Sequence, residues 1–266
     1  MKAIPVVLFS TLSLLTNFLC LAQAPQQQPQ AVPQPQRFPD GGTREVLISI
    51  LIPSLADAPF TATVRTEWIR QLPDGSSITL KNHRAIARDK AGRIFQERSV
   101  LVPDDGRSKS GVSQIEISDP VLHQLYICVP SELVCQLEEF SAPPVSQISV
   151  AVKVSKQPGG STEENLGEQS VGGLKTFGKR ETTVIPTGQI GNNSPILLRR
   201  EFWYSPQLGV NLISKREDPR FGIQNFEVTD ITLGDPEPKL FEVPVGSKIL
   251  DLRKPPEITA PPASSP

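Results

Sequence analysis

From residue 60 onward the chain sustains no helical stripe. No window of twelve or more residues repeats its apolar side chains with a helical period near 3.6. Instead Phe60, Ala62, Val64 and Trp68 alternate with Thr61, Thr63, Arg65 and Glu67, the period of two that belongs to a half-buried strand. Pro (27) and Gly (18) cut the remainder into comparable short segments. Strands joined by short turns become antiparallel neighbours. The expected architecture is therefore mainly β, a single antiparallel meander of about ten strands that curls into a curved sheet, half-barrel or sandwich with few helices.

Individual hairpins follow from turn residues. Asp74-Gly75 as a two-residue loop places Ile69 opposite Leu80 and Val64 opposite Ala85. Asp89 to Gly92 then turns the chain into a third strand over 93–102. A β-branched run over 46–52, ended by Pro53, reads as an earlier strand. Residues 111–118 form another, followed by the Asp119-Pro120 turn. One more is expected over 145–154. Gly172-Gly173 joins 164–171 to 174–185, and a loop covers 188–195. Ser205 to Gly209 joins 196–204 to 210–215, a long strand runs over 221–233, and 240–243 is a short closing segment.

The two ends differ from this middle. Lys2, an apolar run from Ile4 to Leu21 and then Ala22-Gln23-Ala24 have the layout of a secretory signal peptide, with cleavage expected after Ala22. An uncleaved anchor is the rival, because the run is near the lower spanning length. Acylation of Cys20 is disfavoured by Leu19, where that chemistry wants a small residue. Residues 23–42, rich in Pro and Gln, read as a disordered tether, 43–253 as the β domain, and 254–266 as a disordered Pro-rich tail.

An exported chain that keeps two nearby cysteines points to a disulfide. Residues 124–129 and 134–137 are β-prone and 130–133 form a turn. Pairing Val129 with Val134 sets Cys128 opposite Cys135, at the separation a disulfide needs. The spacing is not that of a redox-active C-x-x-C pair.

Lys plus Arg (27) nearly balances Asp plus Glu (28), which removes the basic excess that draws nucleic acid or anionic lipid. No G-x-S-x-G elbow is present, and His83 and His123, both expected inside strands, read as plain strand histidines. The acidic pairs Asp104-Asp105, Glu138-Glu139 and Glu163-Glu164 read as solvated charge, and in Glu138-Glu139 a strand puts the neighbours on opposite faces, so they cannot share a proton without a bulge. Arg199-Arg200-Glu201 and Lys215 to Asp218 read as solvated strand edges and turns. Trp68 and Trp203 read as core. Asn192-Asn193-Ser194 fits the glycosylation pattern. No catalytic residue, cofactor or metal site is expected, and the chain is not expected to be an enzyme.

Two resemblances attach to these residues. Trp203 to Gly209, the strand from Val210, the Gly222-led strand to Ile231, Leu240-Phe241 and Pro244 resemble the closing part of bacterial lipoprotein-carrier-like proteins. Asp119-Pro120, the 123–140 hairpin and Gly172 to Gly191 resemble a group of uncharacterised exported bacterial β-meander proteins. The carrier resemblance implies a strongly curved antiparallel sheet whose concave face is lined with apolar side chains and holds acyl chains. The expected role is a non-catalytic envelope protein, periplasmic or extracellular, that binds an apolar ligand such as lipid or an envelope protein partner, with no nucleic acid and no stable membrane span after signal cleavage. The alternatives are a structural or adhesive protein with a filled β core and, more remotely, a hydrolase.

Overall fold

The structure, a computed structural model, describes residues 50–141 and 160–253. Seven strands come from the first segment: β1 (Phe60–Gln71), β2 (Ser77–Arg88), β3 (Ile94–Ser99), β4 (Val102–Pro103), β5 (Val112–Asp119), β6 (Gln124–Val129) and β7 (Val134–Glu139). Six come from the second: β8 (Ser161–Val171), β9 (Leu174–Ile185), β10 (Ile196–Ser205), β11 (Val210–Asp218), β12 (Gly222–Leu233) and β13 (Lys248–Asp251). All thirteen belong to one curved sheet that does not close, in the order β13-β7-β6-β5-β3-β2-β1-β12-β11-β10-β9-β8, with β4 pairing β2 off that path. The first half walks outward from β1, and the second half walks inward until β12 pairs β1. The mainly-β, largely antiparallel expectation holds. The signal, the tether, the tail and the strand expected over 145–154 lie outside the described residues. Among the described residues no helix is long and apolar enough to cross a membrane.

Turn chemistry explains most of the hairpins. Pro opens the loops at Pro120, Pro130, Pro206 and Pro219, its fixed φ suiting the first turn position. Left-handed residues close three of them: His123 (φ 53°), Leu133 (φ 51°) and Gly209 (φ 66°). Gly172 and Gly173 (φ 57° and 79°) form the expected two-residue loop between Val171 and Leu174.

Four expectations are corrected. The β1–β2 register pairs Trp68 with Leu80 and Val64 with Arg84, one residue away from the expected pairing. The loop is longer than two residues: Leu72 N–H donates to Ser76 O, Gly75 N–H donates to Leu72 O, and the Asp74 carboxylate accepts from the Ser76 N–H and hydroxyl. His123 sits in a turn with positive φ, not in a strand. Residues 50–53 join no ladder, although Ile50 and Ile52 are buried in the main core. The segment around 240–243 is a 3₁₀ turn (Pro238–Phe241), and the closing strand is β13, which runs parallel to β7.

The main core lies on the face where β1 presents Phe60, Ala62 and Val64. Phe60, Val64, Ile86, Val210, Leu212, Phe226 and Val228 are each 2% exposed or less. A smaller cluster forms where Leu240 and Phe241 of the 3₁₀ turn land against Ala87, Phe95 and Ile117.

Candidate functional site

Two buried arginines close the core face. Strand alternation places Arg84 and Arg88 beside Ile86, where an apolar side chain is expected. Arg88 is 0% exposed and directs four of its five guanidinium N–H groups at main-chain carbonyls. Its Nε and Nη2 donate to Ala58 O at 2.9 and 2.7 Å, Nη1 donates to Pro53 O at 2.9 Å, and Nη2 also donates to Leu208 O at 2.7 Å. Arg84 Nη2 donates to Ile50 O at 3.3 Å. Burial lowers both guanidinium pKa values to about 10, for Arg84 with help from the Arg98 charge, so both stay cationic at neutral pH. The consequence is an N-terminal arm, residues 50–59, held by arginine side chains and isolated backbone bonds instead of a ladder. Ser54 Oγ donates to Gly92 O at 2.6 Å and Asp57 N–H donates to Lys90 O at 3.0 Å. The arm packs its Ile50 and Ile52 side chains into the core cluster.

The opposite face of β8 to β12, β1 and β2 is charged. Register pairs Glu164, Arg180, Glu201, Lys215, Asn225, Glu67 and Lys81 in one row across seven strands. The signs alternate along the row, and three of its six neighbouring pairs are hydrogen-bonded: Arg180 donates to Glu164 and to Glu201 at 2.9 Å each, and Asn225 Nδ2 donates to Glu67 at 2.9 Å. Lys81 pairs with Asp104 at the far end. The two Glu201 oxygens are divided between Arg180 and the Trp203 indole N–H. Burial raises the Glu201 carboxyl, but these hydrogen bonds with the Lys215 and Arg180 charges bring it below its ordinary value. Glu164, Arg180, Arg199, Glu201, Lys215 and Glu217 line a groove of about 340 Å³. A second hollow of about 350 Å³ adjoins it at the β11–β12 turn, lined by Arg70, Leu197, Arg220 and Phe221.

The runs 199–201 and 215–218 therefore lie on interior strands, flanked on both sides, and not on edges or turns as expected. Strand assignment alone does not show that β8 and β9 cover them. Cys128 and Cys135 are joined and both buried, directly opposite as expected. His83 is exposed on β2 beside Arg65, and His123 is exposed in its turn. Trp68 is buried and its indole N–H donates to Phe221 O at 2.7 Å. Trp203 is half-buried over Gly178, where a Cβ would lie 2.6 Å from the ring. Asn192 uses its amide within the loop, donating to Pro186 O and Ser194 O. Asp104 pairs with Lys81, Glu163 with Lys179 and Glu164 with Arg180. Among the described residues no group of three His, Cys, Asp or Glu is placed to hold a metal. Sequence reasoning misses Arg84 and Arg88; the available signal is a pair of arginines sharing a strand face with an isoleucine.

No family profile matches the sequence, and no curated protein matches it. Solved structures align with it in part. The MucA/MucB complex of Pseudomonas aeruginosa aligns at 15% identity with a TM-score of 0.38, covering 72% of this chain and 58% of that chain. A LolA superfamily protein from Nitrosomonas europaea aligns at 12% identity and a TM-score of 0.28, covering 71% of this chain and 91% of that one. The lipoprotein LppX of Mycobacterium tuberculosis aligns at 11% identity and a TM-score of 0.25, covering 66% and 87%.

Proposed function

We propose that this chain is a non-catalytic, exported binding domain of the cell envelope that engages a protein partner through the charged face of its sheet. One observation carries the reading. The chain's own arm packs into the apolar core and is clamped there by Arg88, whereas the opposite face presents a groove of paired charges. A groove of fixed alternating charge favours a polar partner of complementary sign and disfavours an acyl chain, which gains nothing from paired ions. The signal-like N-terminus supports export.

The test is site-specific photocrosslinking in intact cells. A photoreactive residue at Lys215, on the groove, yields a discrete crosslinked protein, and the same residue at Ser108, on an exposed loop, does not. A freely diffusing monomer with no adduct at either site, or lipid found by mass spectrometry in the extracted native protein, overturns this reading in favour of a filled structural core or an apolar-ligand carrier respectively.

A further inference from the structure

Beside the alternating charged row runs another, on the opposite face, that breaks the alternation. Register pairs Glu163, Glu181, Arg200, Arg216, Gln224, Trp68 and Leu80. Two glutamates stand side by side, and so do two arginines. Like charges directly opposite on neighbouring strands are destabilising unless something lies between them.

The acidic pair has its counter-ion. Lys179 Nζ lies 2.9 Å from Glu163 and 3.0 Å from Glu181. The arginine pair is only partly compensated among the described residues. Arg216 Nη2 donates to Asp218 Oδ2 at 3.4 Å, but Arg220 holds the same carboxylate more closely, at 2.9 and 2.8 Å, and Arg200 has only Glu181 facing it across the ladder. Arg200 makes no hydrogen bond to a described residue, and the buried Nε of Arg216 has no acceptor. Next in the row, the buried carbonyl oxygen of Gln224, a residue only 3% exposed, also lacks a partner. Turning that amide over would bury an unpartnered N–H instead. Burial and the Arg216 charge push the Arg200 pKa down, outweighing the Glu181 and Asp218 charges that push it up.

We propose that Arg200 and Arg216 together bind a carboxylate, with the Gln224 amide turned over so that its N–H donates the third polar contact. Guanidinium forks match the two oxygens of a carboxylate. The site lies on the face opposite the Arg199–Glu201 groove and does not depend on the function proposed for it.

The experiment is isothermal titration of the mature protein with sodium acetate against sodium chloride at matched ionic strength. Wild type gives saturable acetate binding with a dissociation constant on the order of millimolar, as suits so small a ligand. R200Q and R216Q weaken it at least tenfold, and R65Q, an exposed arginine elsewhere, leaves it unchanged. R200K keeps the charge without the planar fork and also weakens binding, which holds the test open if a glutamine variant fails to fold. Acetate heats no different from chloride, or an R200K or R200Q protein that binds as wild type does, overturns the proposal. Inorganic phosphate binding more tightly than acetate overturns the assignment of a carboxylate.

Discussion

The guanidinium of Arg88 lies 5.0 Å from the ring centroid of Phe60, and neither residue is exposed to solvent. The two are register partners on β1 and β2. Their contact puts a full positive charge on an aromatic face inside the core, where it also holds three carbonyls from two segments of main chain.

Removing that charge is costly because the carbonyls it serves stay behind. R88M leaves Pro53, Ala58 and Leu208 O without the guanidinium donor, and the expected loss of stability in urea denaturation is about 3–5 kcal/mol. Hydrogen exchange should show the arm over 50–59 opening first. A variant as stable as wild type would show that the clamp does not hold the arm.

Two glycines separate backbone conformation from space. Gly75 has φ 84° and open space where a Cβ would stand, so G75A costs about 1–2 kcal/mol from conformation alone. Gly222 has φ 91° and its Cβ would meet Ile69 O at 2.1 Å, a backbone atom that cannot step aside. G222A should therefore destabilise far more than G75A, or fail to accumulate as folded protein, when both are compared by chemical denaturation.

Asp218 gives the acid limb of the stability curve a defined source. Burial pushes its carboxyl up, but the hydrogen bonds from Arg220 and the charges of Arg220 and Arg216 outweigh that and lower it. The folded state thus holds this proton less tightly than the unfolded chain. Stability from Asp218 is complete above the ordinary carboxylate value, about 3.9, and is lost as pH falls through the lower native one. Urea melts between pH 2 and 6 should show a shallower acid limb in D218N than in wild type.

Reduction of the disulfide should act locally. C128S with C135S frees a short loop and costs about 2 kcal/mol. Faster exchange is expected in β6, β7 and β13, because β13 pairs directly with the strand that carries Cys135, while β8 to β12 keep their protection.

The charged row depends on solvent. R180Q removes two ion pairs, to Glu164 and Glu201, and should lower the melting temperature at low salt. The difference from wild type should shrink as sodium chloride is raised, because exposed pairs are screened.

Some of this architecture is legible in the sequence. The cysteine hairpin is, because a four-residue Pro130–Leu133 turn between two β-prone runs leaves one natural register. The Gly172-Gly173 hairpin is, because adjacent glycines supply the two positive φ angles its turn needs. The β1–β2 register is not. Whether Asp74-Gly75 forms a tight loop or a longer one depends on where the Asp74 carboxylate finds donors, and it finds Ser76. A slip of one residue then moves every side chain of one strand to the other face. The candidate sites are less legible still: Arg199, Arg200, Lys215 and Arg216 stand out as charge runs, but their alignment across neighbouring strands does not.

Alternation and turn chemistry act over a few residues, so the strands, most hairpins and the sulfur link are written in local order along the chain. The pairing of β1 with β12, the burial of Arg88 and the side-by-side arginines are not. Arg88 is tolerable only because Ala58 and Leu208, 30 and 120 residues away, deliver their carbonyls to it. A buried charge is stabilised by partners that exist only once the distant parts of the chain have met, and tertiary structure alone decides that meeting.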